Sequence, residues 1–194
     1  MTNLILAGLV SLLFTSSAIA DNTTPVTDAS LPKVAILTTE GEMELLLRPD
    51  LAPETVKNFL AYVDAGFYDG TVFHRVIPGF MIQGGGYDRR LSKKQTGAPV
   101  KNEAKPTAKN LRGSVAMART SDPDSATSQF FINIVDNAFL NAGVRGPGYT
   151  VFGKISAGMG VVDAIANQAT TRQKGMADVP VESVVIKSIR RLDE

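Results

Sequence analysis

The sequence FHRVIPGFMIQ, residues 73–83, is the stretch from which the fold can be worked out. It joins two short apolar runs, Thr71–Val76 and Phe80–Gln83, which a proline–glycine pair separates. Short apolar runs bounded by glycine and proline are typical of β-strands. Neighbouring side chains on a strand point to opposite faces, so we expect His74 and Arg75 to face apart, with His74 in a structural role.

Outside this stretch, the same kind of pattern predicts six more strands and two helices. The strands are expected at Val34–Thr38, Glu42–Leu47, Ser114–Ala118, Phe130–Val135, Thr150–Ile155 and Ser183–Ile189. One helix should begin at Pro53, because an apolar stripe with helical spacing follows it, and a second should run from Gly158 to about Gln168. Many short strands with two helices predict a mainly β fold, an antiparallel barrel or sandwich.

Composition excludes several classes of function. The chain has 194 residues, a formal net charge of +1, no cysteine and one histidine. A nearly neutral chain has no electrostatic footprint for nucleic acid or for an anionic membrane. Without cysteine there is no disulfide or thiolate chemistry, and a single histidine argues against a zinc or copper site. We therefore expect neither a metal nor a cofactor.

The N-terminus has the pattern of an export signal. Leu4–Phe14 is almost wholly apolar, and the sequence Ala18-Ile19-Ala20 supplies the small residues of a cleavage site. We expect a signal peptide over residues 1–20, a flexible polar leader over 21–32 and one domain over 33–194, in a periplasmic protein. The alternative is an uncleaved anchor or a buried helix.

Three segments, in this order and spacing, resemble the cyclophilin family of peptidyl-prolyl cis-trans isomerases. They are residues 73–85, residues 114–119 with 128–132, and residues 139–140 with 148–154. The resemblance covers about residues 33–190, and the pattern is most similar to the periplasmic cyclophilins of Gram-negative bacteria. It implies an eight-stranded antiparallel barrel capped by two α-helices.

The resemblance also implies a reaction without a covalent intermediate. Rotation about a peptide bond crosses a barrier of about 18–20 kcal/mol, because amide resonance is lost in the twisted state. A groove that binds the twisted amide better than either planar form is a sufficient catalyst. Arg75 would supply the donor to the prolyl nitrogen, which regains a lone pair in that state, and Gln83 and Phe80 complete the implied catalytic set.

The remaining implied site residues bind the peptide. Met81, Phe131 and Leu140 would form the proline pocket with Phe80, and the backbone at Ala118 and Arg119 would pair with the extended peptide. Gln129 would orient Arg75 or the peptide, Tyr149 would offer a hydroxyl at the rim, and Phe139 would be an apolar wall where many eukaryotic relatives have tryptophan. The apolar residues could instead be ordinary core, and Arg75 a surface residue.

The implied partners are proline-containing, unfolded or extended polypeptides, bound by a monomer. A second hypothesis is a chaperone or adaptor that binds proline-containing segments without any need for turnover. We favour the enzyme, because this chain keeps a residue of suitable chemistry at each position to which the resemblance assigns a catalytic role.

Overall fold

The computed structural model describes residues 28–192, so the predicted signal peptide and residues 21–27 of the leader lie outside the described residues. The strands are β1 Lys33–Thr38, β2 Glu42–Leu47, β3 Thr71–Ile77, β4 Met81–Asp88, β5 Ser114–Met117, β6 Phe130–Asn133, β7 Val151–Ala157, β8 Thr170–Gln173, β9 Met176–Pro180 and β10 Ile186–Leu192. The α-helices are α1 Pro53–Asp64 and α2 Met159–Ala166, and short 3-10 turns span Asp28–Ser30 and Ala138–Leu140.

Eight of these strands form one antiparallel sheet in the order β10-β1-β2-β7-β5-β6-β4-β3. The sheet curls until its two edges meet. The backbone N–H of Phe73 donates to the carbonyl of Val184 at 3.0 Å, and Val72 forms a bridge with Val185. The predicted eight-stranded antiparallel barrel with two helices is confirmed.

The interior of the barrel is filled by aromatic and aliphatic side chains. Phe59 of α1 is fully buried and lies 5.1–5.8 Å, between ring centres, from Tyr68, Phe130 and Phe152. Pro53 occupies the start of α1, as predicted, because proline there gives up an N–H that has no helical partner. The apolar stripe that follows it turns toward the barrel and closes one end.

A second, smaller apolar cluster lies on the outer face of the sheet. Phe130 and Ile132 point into the barrel core, whereas Phe131 between them points outward and packs with Met81 and Leu140. Alternation along a strand separates the two faces, so a strand with apolar residues on both faces reads as one continuous apolar run. This outer cluster is the place where a ligand could meet an apolar surface.

The structure departs from the sequence-based expectation at the β8–β9 hairpin and at the start of β10. The hairpin of β8 and β9 was not predicted, because β8 is exposed along its whole length and shows no alternation. Its turn uses Lys174 at a φ of 48° beside Gly175 at 80°, and lysine is not a residue that signals such a turn. Strand β10 begins three residues later than predicted, since the preceding residues 184 and 185 contact β3 instead.

The flexible leader predicted for residues 21–32 does not extend over its last part. Residues 28–30 form a 3-10 turn, and Leu31 is buried. Asp28 forms an ion pair with Lys154 at 2.6 Å, and Pro32 accepts a hydrogen bond from the N–H of Leu47 at 2.8 Å. Within residues 28–192, no helix has both the length and the apolar character needed to cross a membrane.

We predict that Phe59→Ala lowers the free energy of unfolding by about 3–5 kcal/mol, because it removes the ring at the centre of the aromatic cluster and leaves a cavity. Denaturant unfolding followed by circular dichroism measures this change. Lys57→Ala is the matched control, since Lys57 lies on the exposed side of the same helix. Equal stability of the two variants would contradict the position of Phe59 at the centre of the core.

Candidate active site

Three of the predicted site residues lie in one row across neighbouring strands. Arg75 of β3 is the cross-strand partner of Gln83 on β4. Gln83 pairs on its other side with Phe131 of β6, and Phe131 pairs with Ala116 of β5. Residues far apart in the sequence therefore lie side by side on one sheet.

A β-bulge in β3 determines the face on which Arg75 lies. Phe73 pairs with Gly84 and Arg75 pairs with Gln83, so two steps along β3 match one step along β4. One extra residue, His74, shifts the alternation of the strand. As a result Phe73 belongs to the barrel core, whereas Arg75, two residues later, faces the outer groove.

The outer groove has a volume of about 260 Å³. Its lining combines an apolar floor with polar groups at the edge and consists of Arg75, Phe80, Met81, Gln83, Ala118, Arg119, Phe131, Leu140 and Tyr149. Aromatic, thioether and aliphatic groups suit a compact apolar ring such as that of proline. An apolar concavity with a few convergent polar groups is the usual form of a ligand site.

A buried network of asparagines supports one wall of the groove. The side-chain amide of Asn137 donates to the carbonyl of Phe80 at 2.9 Å and to Oδ1 of Asn133 at 2.7 Å. Asn110 donates to the carbonyl of Leu140 at 3.2 Å. Buried and satisfied polar groups of this kind fix the backbone, so the two pocket residues Phe80 and Leu140 are held in place. Sequence reasoning missed this network, because asparagines that are scattered over loops and a strand end carry no periodic signal.

Gln83 and Gln129 form a pair at the other end of the groove. Nε2 of Gln83 donates to Oε1 of Gln129 at 3.0 Å. The side chain of Gln129 lies over Gly86, where a Cβ would come within 2.4 Å of its Cγ. Gln129 therefore contacts Gln83, and its expected role in orienting Arg75 or the peptide stays a prediction.

The rim opposite Arg75 is built by a second arginine and a tyrosine. The guanidinium of Arg119 lies 4.4 Å from the ring centre of Tyr149, a cation–π contact, and donates to the carbonyl of Gly148 at 3.0 Å. The ring of Tyr149 meets Phe131 edge-to-face at 5.7 Å. The side chain of Arg119 thus stabilises the rim of the groove at Gly148 and Tyr149.

Arg75 itself is held loosely. Its side chain is 43% exposed, and its ion-pair contact within residues 28–192 is to Asp178, with Nε 3.8 Å from Oδ2. The terminal guanidinium nitrogens of Arg75 form no hydrogen bond to another described residue. They are available to a ligand in the groove.

His74 lies outside the groove, as expected. It is 5% exposed, and its ring lies 4.6 Å from that of Tyr87. Burial lowers the pKa of His74 from its ordinary value of 6.5 to about 4, and the positive charge of Arg75 adds to this effect. The buried imidazole is therefore neutral near pH 7, in a structural position.

Two of the predicted site residues do not line the groove itself. Gln129 is hydrogen-bonded to Gln83, and the ring of Phe139 stacks on that of Phe80, with 5.5 Å between ring centres. The other nine predicted residues all line it. Sequence reasoning missed Asp178, which lies on the unpredicted hairpin. Among residues 28–192, no group of three or more histidine, aspartate or glutamate side chains could hold a metal ion.

Comparison with known proteins gives a consistent family. Residues 33–191 match the family model described as cyclophilin type peptidyl-prolyl cis-trans isomerase/CLD. The chain is 53% identical over 157 residues to peptidyl-prolyl cis-trans isomerase A of Dickeya dadantii, which covers 81% of this chain and 83% of that protein. It is 52% identical over 159 residues to isomerase B of Escherichia coli, which covers 80% and 97% respectively.

Solved structures agree with the sequence relatives. A cyclophilin-type peptidyl-prolyl cis-trans isomerase of Cryptosporidium parvum superposes with a TM-score of 0.72 at 28% identity and covers 84% of this chain and 99% of its own. A structure of the same protein in the presence of the dipeptide Ala-Pro gives a TM-score of 0.71 at 30% identity and covers the same shares.

We predict that stability falls as the pH is lowered from about 6.5 to about 4, and that His74 causes part of this fall. Below pH 6.5 the unfolded state binds a proton that the buried imidazole does not, so protonation favours unfolding until the folded-state pKa of about 4 is reached. The lowered pKa corresponds to about 3 kcal/mol. Denaturant unfolding across this range should show a shallower pH dependence in His74→Gln. Parallel curves for the two proteins would contradict the prediction.

Proposed function

This chain belongs to the cyclophilin-type peptidyl-prolyl cis-trans isomerases and is an enzyme of that kind; from this premise we propose that Arg75 is the residue that stabilises the rotating X–Pro bond. The observation that carries the proposal is the position of an available guanidinium beside an apolar pocket of proline size. The proposal covers the roles of the groove residues, the substrates and the compartment.

The physical reason for an arginine lies in the twisted state. When the X–Pro bond is rotated by about 90°, resonance is lost, and the prolyl nitrogen becomes pyramidal with a free lone pair. A donor aimed at that lone pair binds the twisted amide more strongly than either planar form, and only such differential binding speeds the reaction. The guanidinium is permanently charged and its donors lie in one plane, so it meets this need without a change of protonation.

The apolar floor of the groove anchors the proline while the bond rotates. Met81, Phe131 and Leu140 lie in one packed cluster, and Phe80 packs against it. The pyrrolidine ring would rest there, held by contact area rather than by hydrogen bonds. With the ring fixed there, the X–Pro bond would rotate beside Arg75, which lines the same groove.

Two further groups would hold the peptide on either side of the rotating bond. Gln83, oriented by Gln129, would donate to the carbonyl beside the bond. The backbone at Ala118 and Arg119 follows β5, where an extended peptide could pair as an added strand. The N–H of Ala118 already donates to the carbonyl of Gln129 at 2.9 Å, so the peptide would use the neighbouring groups.

We propose that the substrates are unfolded, newly exported polypeptides and that the protein works as a monomer in the periplasm, where it assists folding. The apolar stretch ending in Ala18-Ile19-Ala20 supports export. The net charge of +1 favours a polypeptide over a nucleic acid as the ligand.

We predict that Arg75→Ala lowers the catalysed isomerisation rate by about 10²–10³-fold, the usual loss when one preorganised transition-state donor is removed. Arg75→Lys should recover little of it, because an ammonium lacks the planar set of donors. The measurement is a protease-coupled assay on a short X–Pro peptide. Arg191→Ala, which removes a surface arginine paired with Asp64, is the control and should keep the full rate.

The same variants separate an enzyme from a binding module. Arg75→Ala should still bind the peptide, since the apolar pocket is intact, and should lose turnover. Wild-type turnover in Arg75→Ala would contradict the proposed role. Full rescue of a client by the inactive variant would favour the chaperone or adaptor.

We predict that the protein expressed in a Gram-negative bacterium is found in the periplasm and begins at Asp21. Intact-mass measurement of the periplasmic fraction gives the cleavage point. Ala20→Phe is the matched variant, since a bulky residue at the cleavage site should leave the precursor uncleaved. A cytoplasmic protein that begins at Met1 would contradict the proposal of export.

A further inference from the structure

Asp178 contacts Arg75 at the one nitrogen that the proposed reaction does not need. Oδ2 of Asp178 lies 3.8 Å from Nε of Arg75. The two terminal nitrogens of the planar guanidinium carry four further N–H donors, and Arg75 lines the groove. The contact therefore restrains the side chain without occupying the groups that would meet the peptide.

The backbone at Asp178 is unusual in a way that serves this contact. Asp178 has a φ of 61°, in the left-handed region that residues other than glycine rarely occupy. It lies at a register shift of the β8–β9 hairpin, where Thr171 pairs with Val179 and Gln173 pairs with Met176, so β9 has one extra residue. Bulges of this kind redirect a side chain and are common beside active sites.

The packing of the hairpin fixes where this bulge lies. Strand β9 packs against β3, and the buried Val179, next to Asp178, anchors it. Strand β8 is exposed along its length and contributes no buried side chain. A left-handed residue has to be maintained by the structure around it, and such residues cluster beside functional sites.

Arg75 is a side chain that a nearby carboxylate could orient. Its side chain is about 43% exposed and crosses from the strand to the groove with no hydrogen bond to another described residue. A long side chain of this kind samples many rotamers, and each one that points away from the peptide lowers the fraction of productive complexes. A carboxylate near Nε would favour the rotamers that face the groove.

We propose that Asp178 is a positioning residue for catalysis, which acts by holding the guanidinium of Arg75 at Nε so that its terminal nitrogens face the rotating bond. The inference rests on the proposed function, because it assigns no role to Asp178 apart from Arg75. It makes the β8–β9 hairpin part of the catalytic apparatus, although no residue of it lines the groove.

Two substitutions test the proposal without straining the backbone. Asp178→Asn removes the charge, and Asp178→Gly removes the side chain; both residues tolerate a positive φ. Each should lower kcat/KM by about two- to fivefold, the size expected for a half-exposed ion pair. Exchange NMR on a short X–Pro peptide should show slower interconversion of the bound peptide with unchanged affinity, a split that a merely structural role would not produce.

Double variants and a matched control make the outcome decisive. In the Arg75→Ala background, Asp178→Asn should change nothing further, because its effect passes through Arg75. Asp163→Asn removes the partner of Arg112, a pair of similar exposure outside the groove, and should keep the full rate. Full activity of both Asp178 variants, or an equal loss in the Arg75→Ala background, would overturn the proposal. Full activity of Arg75→Ala would instead overturn the proposed function and, with it, the role of Asp178.

Discussion

The β-bulge at His74 changes the face of the sheet on which the later side chains of β3 lie. Without the extra residue, Phe73 and Arg75 would share one face, and either the aromatic ring would leave the core or the arginine would enter it. A buried, unpaired guanidinium would cost several kcal/mol. The bulge lets one short strand supply both a core residue and an exposed cation, at the price of a buried histidine that is neutral near pH 7.

The rest of the groove follows from a sheet that is apolar on both faces. The inner face closes the barrel, and the outer face would be a site of aggregation if it were flat. Here it is enclosed by polar structure: the asparagine network on the Phe80 side, the Gln83–Gln129 pair, and the Arg119–Tyr149 contact at the rim. These polar contacts shape the apolar surface into a pocket and hold its walls.

Local patterns predicted the strands of the main sheet and the two helices, whereas the closed barrel and the residues of the groove were implied by the resemblance of three segments to the cyclophilin family. Sequence reasoning failed where the structure depends on backbone conformations that no sequence pattern indicates. The β8–β9 hairpin was missed because its turn has a left-handed lysine, Lys174, and Asp178 was missed with it. The sequence left open whether Gln129 contacts Arg75 or the peptide. Which strands are neighbours depends on the order of strands in the sheet, and that order cannot be derived from the strands alone.

The aromatic packing around Phe59 leaves no passage through the barrel, so a polypeptide can meet this protein only from the side. A surface reached from the side requires no free chain end and no threading. A proline in the middle of a long chain is then as accessible as one in a short peptide, provided that the segment around it is extended. For the proposed reaction, the local unfolding of a client would then matter more than its total length.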